Sequence, residues 1–146
     1  MDASMLTMLD QMLLLLHAAL IVFNLTGWIW RRTRRAHLLV IGLTFGSWIG
    51  LGAWYGWGYC PMTDWHWHVK AALGETGLPA SYVKYYADAM TGRSWNAVLV
   101  DAWVVGLALM ALVFSVRLNW RDWRQQRRGI ATATRCPDRA RKRGGT

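Results

Sequence analysis

Apolar residues in this chain are gathered into three long runs, with polar segments between and after them. The runs cover residues 12–30, 37–60 and 97–118, and they contain 19, 24 and 22 residues. About 20 residues of α-helix are needed to cross roughly 30 Å of hydrocarbon. The pattern therefore predicts an all-α membrane protein with three transmembrane helices.

Residues 61–96 form a polar segment that is too long for a plain loop. Its first half has helical spacing with Thr63 as the N-cap, and its second half has it from Pro79 or Ser81 to Gly92. Four residues of the first half share an apolar stripe that would pack on the bundle: Trp65, Val69, Ala72 and Leu73. We therefore predict two short interfacial helices on one face of the membrane domain.

Composition divides the chain into a transmembrane helical domain, residues 1–124, and a basic tail, residues 125–146. The tail is rich in small, polar and basic residues and has almost no aliphatic ones. Such a composition buries too little apolar surface to offset the entropy of ordering. We therefore predict that the tail is disordered.

The net charge of +9 is distributed unevenly along the chain. Arginines crowd the first loop and the tail, whereas residues 61–96 carry three Lys and Arg against three Asp and Glu. The positive-inside rule then predicts a bacterial inner-membrane protein whose N-terminus and residues 61–96 lie outside and whose C-terminus is cytoplasmic. The first run is expected to be a retained span and not a signal peptide, because Asp2 and Asp10 precede it and no Lys or Arg does.

Two arginine groups flank the spans on the expected cytoplasmic side and alternate with tryptophans. Such basic and aromatic segments favour anionic lipid headgroups over nucleic acid when they adjoin a span. Membrane lipids are therefore expected partners, and nucleic acid is not. The predicted headgroup residues are Arg31, Arg32, Arg34 and Arg35 in the loop, and Arg121, Arg124, Arg127 and Arg128 after the last span.

The second span contains glycines at a four-residue spacing. Gly42, Gly46 and Gly50 form one series, and Gly52 and Gly56 form another on a neighbouring face. Small residues at this spacing let helices approach closely. We predict that one face packs on a helix of this chain and the other on a partner protein, with a flat lipid, pigment or quinone ring as the alternative.

The stretch "CPMTDWHWH", residues 60–68, combines residue types that bind copper or zinc. On a helix, His66 and His68 are about 200° apart around the axis and do not face one ion. The metal-site hypothesis is therefore restricted to Cys60, Asp64 and His68, against the alternative of a helix start with histidines at a wet interface.

His17 lies within the first apolar run, where an ionisable group is costly and usually functional. Haem ligation by His17 is one hypothesis, although a second histidine at matching depth is missing from the sequence. The alternative is an intramembrane polar pair of His17 with Asp101 of the third run, which would satisfy two buried groups or form part of a proton path.

Several of these features resemble a domain-of-unknown-function family of small bacterial multi-pass membrane proteins with a Cys-Pro-Leu-Thr motif after the second span. The resemblance covers residues 13–124 and implies the topology rather than an activity. His66 stands where the family has Glu three residues after Thr, and Tyr85 stands where it often has His. The residues that carry the resemblance are His17, the glycines of residues 42–58, "CPMT" at 60–63, the linker 74–77 and Tyr86.

No nucleophile–base pair, paired carboxylates or phosphate loop occurs in a supporting context. The leading hypothesis is therefore a non-enzymatic accessory, stabilising or assembly subunit of a larger membrane complex, for instance an electron-transfer one. No cofactor is favoured. The alternatives are a haem, copper or zinc protein using His17 or residues 60–68, and a small membrane enzyme or proton-coupled transporter using His17 and Asp101.

Overall fold

The structure is a computed structural model that describes the backbone of residues 2–135 and the side chains of residues 2–128. All the regular elements in that part of the chain are helices, and it contains no strand. The helices are α1, Ala3–Thr26; α2, Arg34–Gly46; α3, Gly52–Tyr55; α4, Pro61–Ala72; α5, Tyr82–Thr91; and α6, Ala97–Arg135. A π-helical segment, Ser47–Leu51, joins α2 to α3 without a break.

Three helices are long and apolar enough to cross a membrane, as predicted: Ala3–Thr26, Arg34–Tyr55 and Ala97–Arg128. The first begins at residue 3 and not 12, because the residues before Met12 also favour helix. The second ends at Tyr55 and not at Cys60, since Gly56 takes a φ of 108° that an α-helix does not allow. The fold is therefore an all-α membrane protein with three spans.

The last helix corrects the start of the predicted disordered tail. α6 continues from the third span to Arg135, so residues 125–135 are helical. Arg and Gln, which dominate the first part of this stretch, are good helix formers even without a core to pack on. Residues 136–146, including Cys136, lie outside the described residues.

Side chains of residues 28–34 donate to carbonyls at the C-terminal end of α1 and just after it. Thr33 Oγ1 donates to the Gly27 carbonyl at 2.7 Å, and Arg34 Nε donates to the Trp28 carbonyl at 3.1 Å. Trp28 Nε1 donates to the Leu25 carbonyl at 2.7 Å. Carbonyls at helix ends need such partners, so these side-chain hydrogen bonds stabilise this end of the bundle.

The fully buried imidazole of His37 joins the three spans. Its Nε2 lies 2.9 Å from the Asn24 carbonyl of α1, and its Nδ1 lies 2.9 Å from Ser115 Oγ of α6. A carbonyl only accepts, so Nε2 carries the hydrogen and Nδ1 accepts from the Ser115 hydroxyl. Gly27 leaves room for this ring, because a Cβ there would lie 2.9 Å from His37 Cδ2.

The opposite end of the bundle carries α4 and α5, as the two predicted interfacial helices. α5 is capped at Ser81 and ends at Gly92 in the left-handed conformation, so its predicted bounds are confirmed. α4 begins at Pro61, and its N-cap is Cys60, three residues before the predicted N-cap Thr63. Proline at the first helical position explains the earlier start, since its missing N–H would have no partner there anyway.

We expect His37→Ala to lower the free energy of unfolding by about 2–4 kcal/mol, because it opens a cavity and leaves the Ser115 hydroxyl and the Asn24 carbonyl unpaired. The measurement is unfolding in mixed detergent–SDS micelles followed by tryptophan fluorescence. His68→Ala is the matched control, since its side chain is 76% exposed. Equal losses in the two variants would contradict a structural role for His37.

Candidate functional site

The face of α4 that packs against α1 is polar, contrary to the predicted apolar stripe. Thr63, His66 and Lys70 are buried, whereas Trp65 and Ala72 are exposed. The stripe was wrong because Asp10 of α1 pairs with His66 and Lys70, which turns this face of α4 inward and leaves Trp65 exposed. The resulting histidine–tyrosine cluster comprises Asp10, His17, His66, Lys70, Glu75, Tyr82, Tyr85 and Tyr86.

A carboxylate of α1 anchors this cluster. Asp10 Oδ1 lies 2.8 Å from His66 Nε2 and 3.2 Å from Lys70 Nζ. Because the carboxylate accepts, His66 Nε2 carries a hydrogen, and this contact fixes the orientation of the ring. His66 and Lys70 are four residues apart and therefore share a helix face.

Lys70 and Glu75 continue the network toward α5. Lys70 Nζ donates to Glu75 Oε1 at 2.9 Å, and the Tyr85 hydroxyl donates to Glu75 Oε2 at 2.6 Å. The Tyr85 and Lys70 hydrogen bonds lower the pKa of the Glu75 carboxyl. Burial lowers the pKa of the Lys70 amine, but the hydrogen bonds to Glu75 and Asp10 outweigh it and the net shift is upward. Both groups are therefore charged at neutral pH.

Aromatic rings cover the two buried histidines. The Tyr82 ring stacks on the His17 ring with centroids 3.7 Å apart and planes 8° apart. Trp67 stacks on the Tyr82 ring at a centroid distance of 5.4 Å, and its Nε1 donates to the Pro79 carbonyl at 2.8 Å. Burial raises the pKa of the Tyr82 hydroxyl. The cluster is thus closed by rings from α4 and α5.

Three buried polar atoms of the cluster have no hydrogen-bond partner among the described residues: His17 Nδ1, His66 Nδ1 and the Tyr82 hydroxyl. Buried polar atoms are usually paired, so unpaired ones call for a function or a bound small molecule. The His66 ring presents Nδ1 as a buried basic nitrogen, with Asp10 on its opposite nitrogen. A carboxylate-oriented imidazole of this kind is suited to accept and return a proton.

The predicted pair of His17 and Asp101 is not brought together. His17 faces Tyr82 and lies near His66, whereas Asp101 is exposed on α6. Within residues 2–128, no hydrogen bond or ion pair joins Asp101 to His17. The acidic partner of His66 in this structure is Asp10, which lies on the same helix as His17.

The predicted metal residues also do not form a metal-binding group. His68 Nδ1 lies 2.8 Å from the Asp64 carbonyl oxygen and 3.8 Å from Asp64 Oδ2, which accepts from the Tyr59 hydroxyl at 3.2 Å. Among the described residues, no group of three or more His, Cys, Asp or Glu could hold a metal ion. Cys60 is a free thiol at the N-cap of α4. His66 and His68 face apart, as the helical spacing predicted.

Asp10 and Lys70 were missed by sequence reasoning. Asp10 was interpreted only as evidence against a signal peptide. Two signals pointed to it: it lies seven residues before His17, which places both on one helix face, and the helix begins early enough to carry it inside the span. The spacing of His66 and Lys70 gives the matching face on α4.

The two predicted glycine faces differ in the structure. Gly42, Gly46 and Gly50 are exposed, and no heavy atom outside their own helix neighbourhood lies within 4 Å of a Cβ built there. Gly52 instead lies against the loop that follows it, with a Cβ 3.4 Å from Trp57 Cα, and Gly56 ends α3. Gly52 and Gly56 therefore allow the chain to turn after α3 and do not form a helix-packing face.

The arginine end of the bundle contains an open cleft of about 550 Å³, which we call the arginine cleft. Arg34 lies 2.9 Å from an Asp122 carboxylate oxygen and Arg31 lies 3.4 Å from the other. Arg35 donates to Gln126 Oε1 at 3.1 Å. The cleft is lined by Arg31, Arg32, Arg34, Arg35, Asn119, Asp122, Trp123 and Gln126.

The other predicted headgroup residues lie along α6. Arg124 lies over the Trp120 ring at 5.1 Å, and Arg127 lies over the Trp123 ring at 4.0 Å. Arg121 and Arg128 line a second, smaller depression of about 310 Å³ with Arg124. The arginines of α6 are thus associated with tryptophans, whereas those of the loop surround a cleft.

Comparison with protein-family models gives a match over residues 7–120 to a family described as "Protein of Unknown function (DUF2784)". The match includes the second span, most of the first and third spans, and both α4 and α5. Comparison with curated proteins gave no significant match, and neither did comparison with solved structures.

We expect Asp10→Asn to lower the free energy of unfolding by about 2–4 kcal/mol, because it leaves the buried Lys70 and His66 without their shared carboxylate. Asp2→Asn makes the same chemical change on an exposed residue that precedes α1 and makes no side-chain cap hydrogen bond, and it is expected to stay within about 0.5 kcal/mol. Unfolding in mixed micelles measures both. An Asp10→Asn variant as stable as the Asp2→Asn variant would show that the network does not hold α4 to α1.

Proposed function

We propose that this chain, which belongs to the DUF2784 family of proteins of unknown function, is an accessory subunit that stabilises or assembles a larger membrane complex and has no catalytic activity of its own. The observation that carries the proposal is the open glycine stripe of Gly42, Gly46 and Gly50. It lies inside a helix that is long and apolar enough to span a membrane.

A glycine stripe within a span is more informative than ordinary exposed apolar surface. Lipid covers Leu and Val side chains without loss, so their exposure in a three-span bundle is expected. Glycines offer lipid little contact area, but they let a second helix approach closely enough for extended van der Waals packing. The stripe therefore favours a partner helix, and the small size of the bundle is consistent with a subunit.

Orientation in this proposal follows from charge. The arginine cleft and the arginines of α6 would face the cytoplasm of a bacterial cell, and α4 and α5 would face outward. The histidine–tyrosine cluster would then lie at the outer surface of the inner membrane. A hypothesis of haem, copper or zinc binding stays a prediction, which visible absorption and metal analysis of the purified protein would test.

A second function is favoured by one specific observation, the buried unpaired Nδ1 of His66. With Asp10 on its Nε2 and the unpaired His17 Nδ1 and Tyr82 hydroxyl in the same cluster, His66 is placed to pass a proton between the wet surface and the first span. The candidate function is a proton-transfer step in a transporter or small membrane enzyme. In it, Asp10 is the acidic residue of the pathway, in place of the Asp101 that the sequence predicts.

The accessory-subunit proposal predicts that Gly46→Leu abolishes a stoichiometric complex while the variant protein still folds. A Cβ at Gly46 has no atom of another described segment within 4 Å, so we expect a bulky side chain there to obstruct a partner helix rather than the fold. Gly106→Leu is the matched control, because Gly106 is a helical glycine of another span with equally open surroundings. The tagged proteins are isolated in mild detergent from cells that express them at native levels, and native gels with mass spectrometry give the complexes.

Two results would contradict the proposal. One is a wild-type protein that runs as a lone monomer. The other is a complex that Gly46→Leu and Gly106→Leu disturb equally, since the stripe would then not be the interface.

The second candidate predicts that His66→Gln abolishes proton movement that His68→Gln leaves intact. The two variants remove a buried and an exposed imidazole from the same helix. Proteoliposomes that contain a pH-sensitive dye report how fast an imposed pH gradient collapses. Wild-type protein that collapses the gradient no faster than empty vesicles would exclude this function.

A further inference from the structure

We propose that the arginine cleft binds the phosphodiester headgroup of an anionic glycerophospholipid. Four arginines and one aspartate line the cleft, together with neutral polar side chains and Trp123. The site is independent of the glycine stripe and of the histidine–tyrosine cluster, which lie elsewhere on the bundle.

The four arginines divide into a structural one and three that are available to a ligand. Arg34 is held by the Trp28 carbonyl and by Asp122, and its side chain is only 14% exposed. It thereby neutralises the one acidic group of the cleft. Asn119 completes this frame, since its amide donates to the Arg34 carbonyl at 3.0 Å.

The remaining guanidinium groups are weakly engaged. Arg32 is exposed and has no hydrogen bond or ion pair to another described residue. Arg35 donates only to the neutral amide of Gln126, and Arg31 contacts Asp122 at a long 3.4 Å. Three cations crowded around one cleft repel each other, so an anion between them is favoured.

A guanidinium donates two parallel hydrogen bonds to a phosphate, so arginine suits this ligand better than lysine does. A phosphodiester with a single negative charge matches a cleft whose net charge is positive and whose carboxylate is already paired. Basic pockets at the ends of transmembrane helices bind such headgroups.

The position of the cleft relative to the membrane surface favours a lipid headgroup over a soluble phosphate. The spanning part of the second helix begins at Arg34, and that of the third ends at Arg128, so the cleft lies where two spans leave the hydrocarbon. Trp30, Trp120 and Trp123 are all exposed at the same level. Tryptophans mark the headgroup region of a membrane, which places a bound phosphodiester where lipid supplies it.

Native mass spectrometry of the full chain in mild detergent tests the proposal. Three probes are titrated separately: phosphatidylglycerol, phosphatidylcholine and glycerol phosphate, which is a soluble phosphate. We expect one saturable phosphatidylglycerol site, at least about tenfold weaker binding of phosphatidylcholine, and no competition by glycerol phosphate at equal concentration.

Two double variants with the same loss of charge locate the site. Arg32→Gln with Arg35→Gln is expected to weaken phosphatidylglycerol binding about tenfold or more, because it removes two ligand-facing guanidinium groups. Arg117→Gln with Arg124→Gln, both on α6 and outside the lining of the cleft, is expected to stay within about twofold. The single Arg32→Gln variant, which breaks no contact of the fold, repeats the test if the first double variant does not fold.

Three outcomes would overturn the proposal. Equal weakening in both double variants would mean diffuse surface attraction and not a site. Equal binding of phosphatidylcholine would mean that charge does not decide the occupant. Effective competition by glycerol phosphate would mean that the cleft takes a soluble phosphate.

Discussion

A backbone carbonyl or an imidazole inside a membrane has no water to bond with, and this constraint governs how the three spans are held. His37 satisfies it for two helices at once, since its ring bonds the Asn24 carbonyl and the Ser115 hydroxyl. Thr33, Arg34 and Trp28 do the same for the neighbouring helix-end carbonyls. The arginine cleft shares one residue with this arrangement, because Arg34 both lines the cleft and bonds the Trp28 carbonyl.

At the opposite end of the bundle, buried polar groups are satisfied by ion pairs. α4 turns its polar face inward, and Asp10 receives both His66 and Lys70 there. The cost of burying these groups is offset by mutual pairing, and the pairing extends through Glu75 to Tyr85 on α5. The pairing does not extend to three buried atoms, His66 Nδ1, His17 Nδ1 and the Tyr82 hydroxyl, which have no hydrogen-bond partner among the described residues. The proton transfer considered as a second function is proposed at these atoms.

Local sequence patterns are enough to predict the helices. The histidine–tyrosine cluster depends on contacts between residues far apart in the chain, which these patterns do not show. The three spans follow from apolar length, and the bounds of α5 follow from Ser81 and Gly92. The partner of His66 is 56 residues away in the chain, so no local pattern shows that α4 packs its polar face inward. For the same reason His17 was paired with Asp101 by depth, whereas the fold pairs it with the Tyr82 ring. Helical spacing does separate His66 from His68, because that relation is local.

The π-helical segment Ser47–Leu51 determines how the residues after it are rotated about the axis of the second span. A π turn accommodates more residues than an α turn, so it acts as one residue inserted into the helix, or about 100° of rotation. The second half of the span thereby presents Gly52 to the loop, while Ser47 donates to the Tyr59 carbonyl at 2.8 Å. Losing one residue here would keep the span long enough to cross the membrane, yet it would turn the loop before α4 away from Asp10. The chain therefore tolerates changes in composition in this segment better than changes in length.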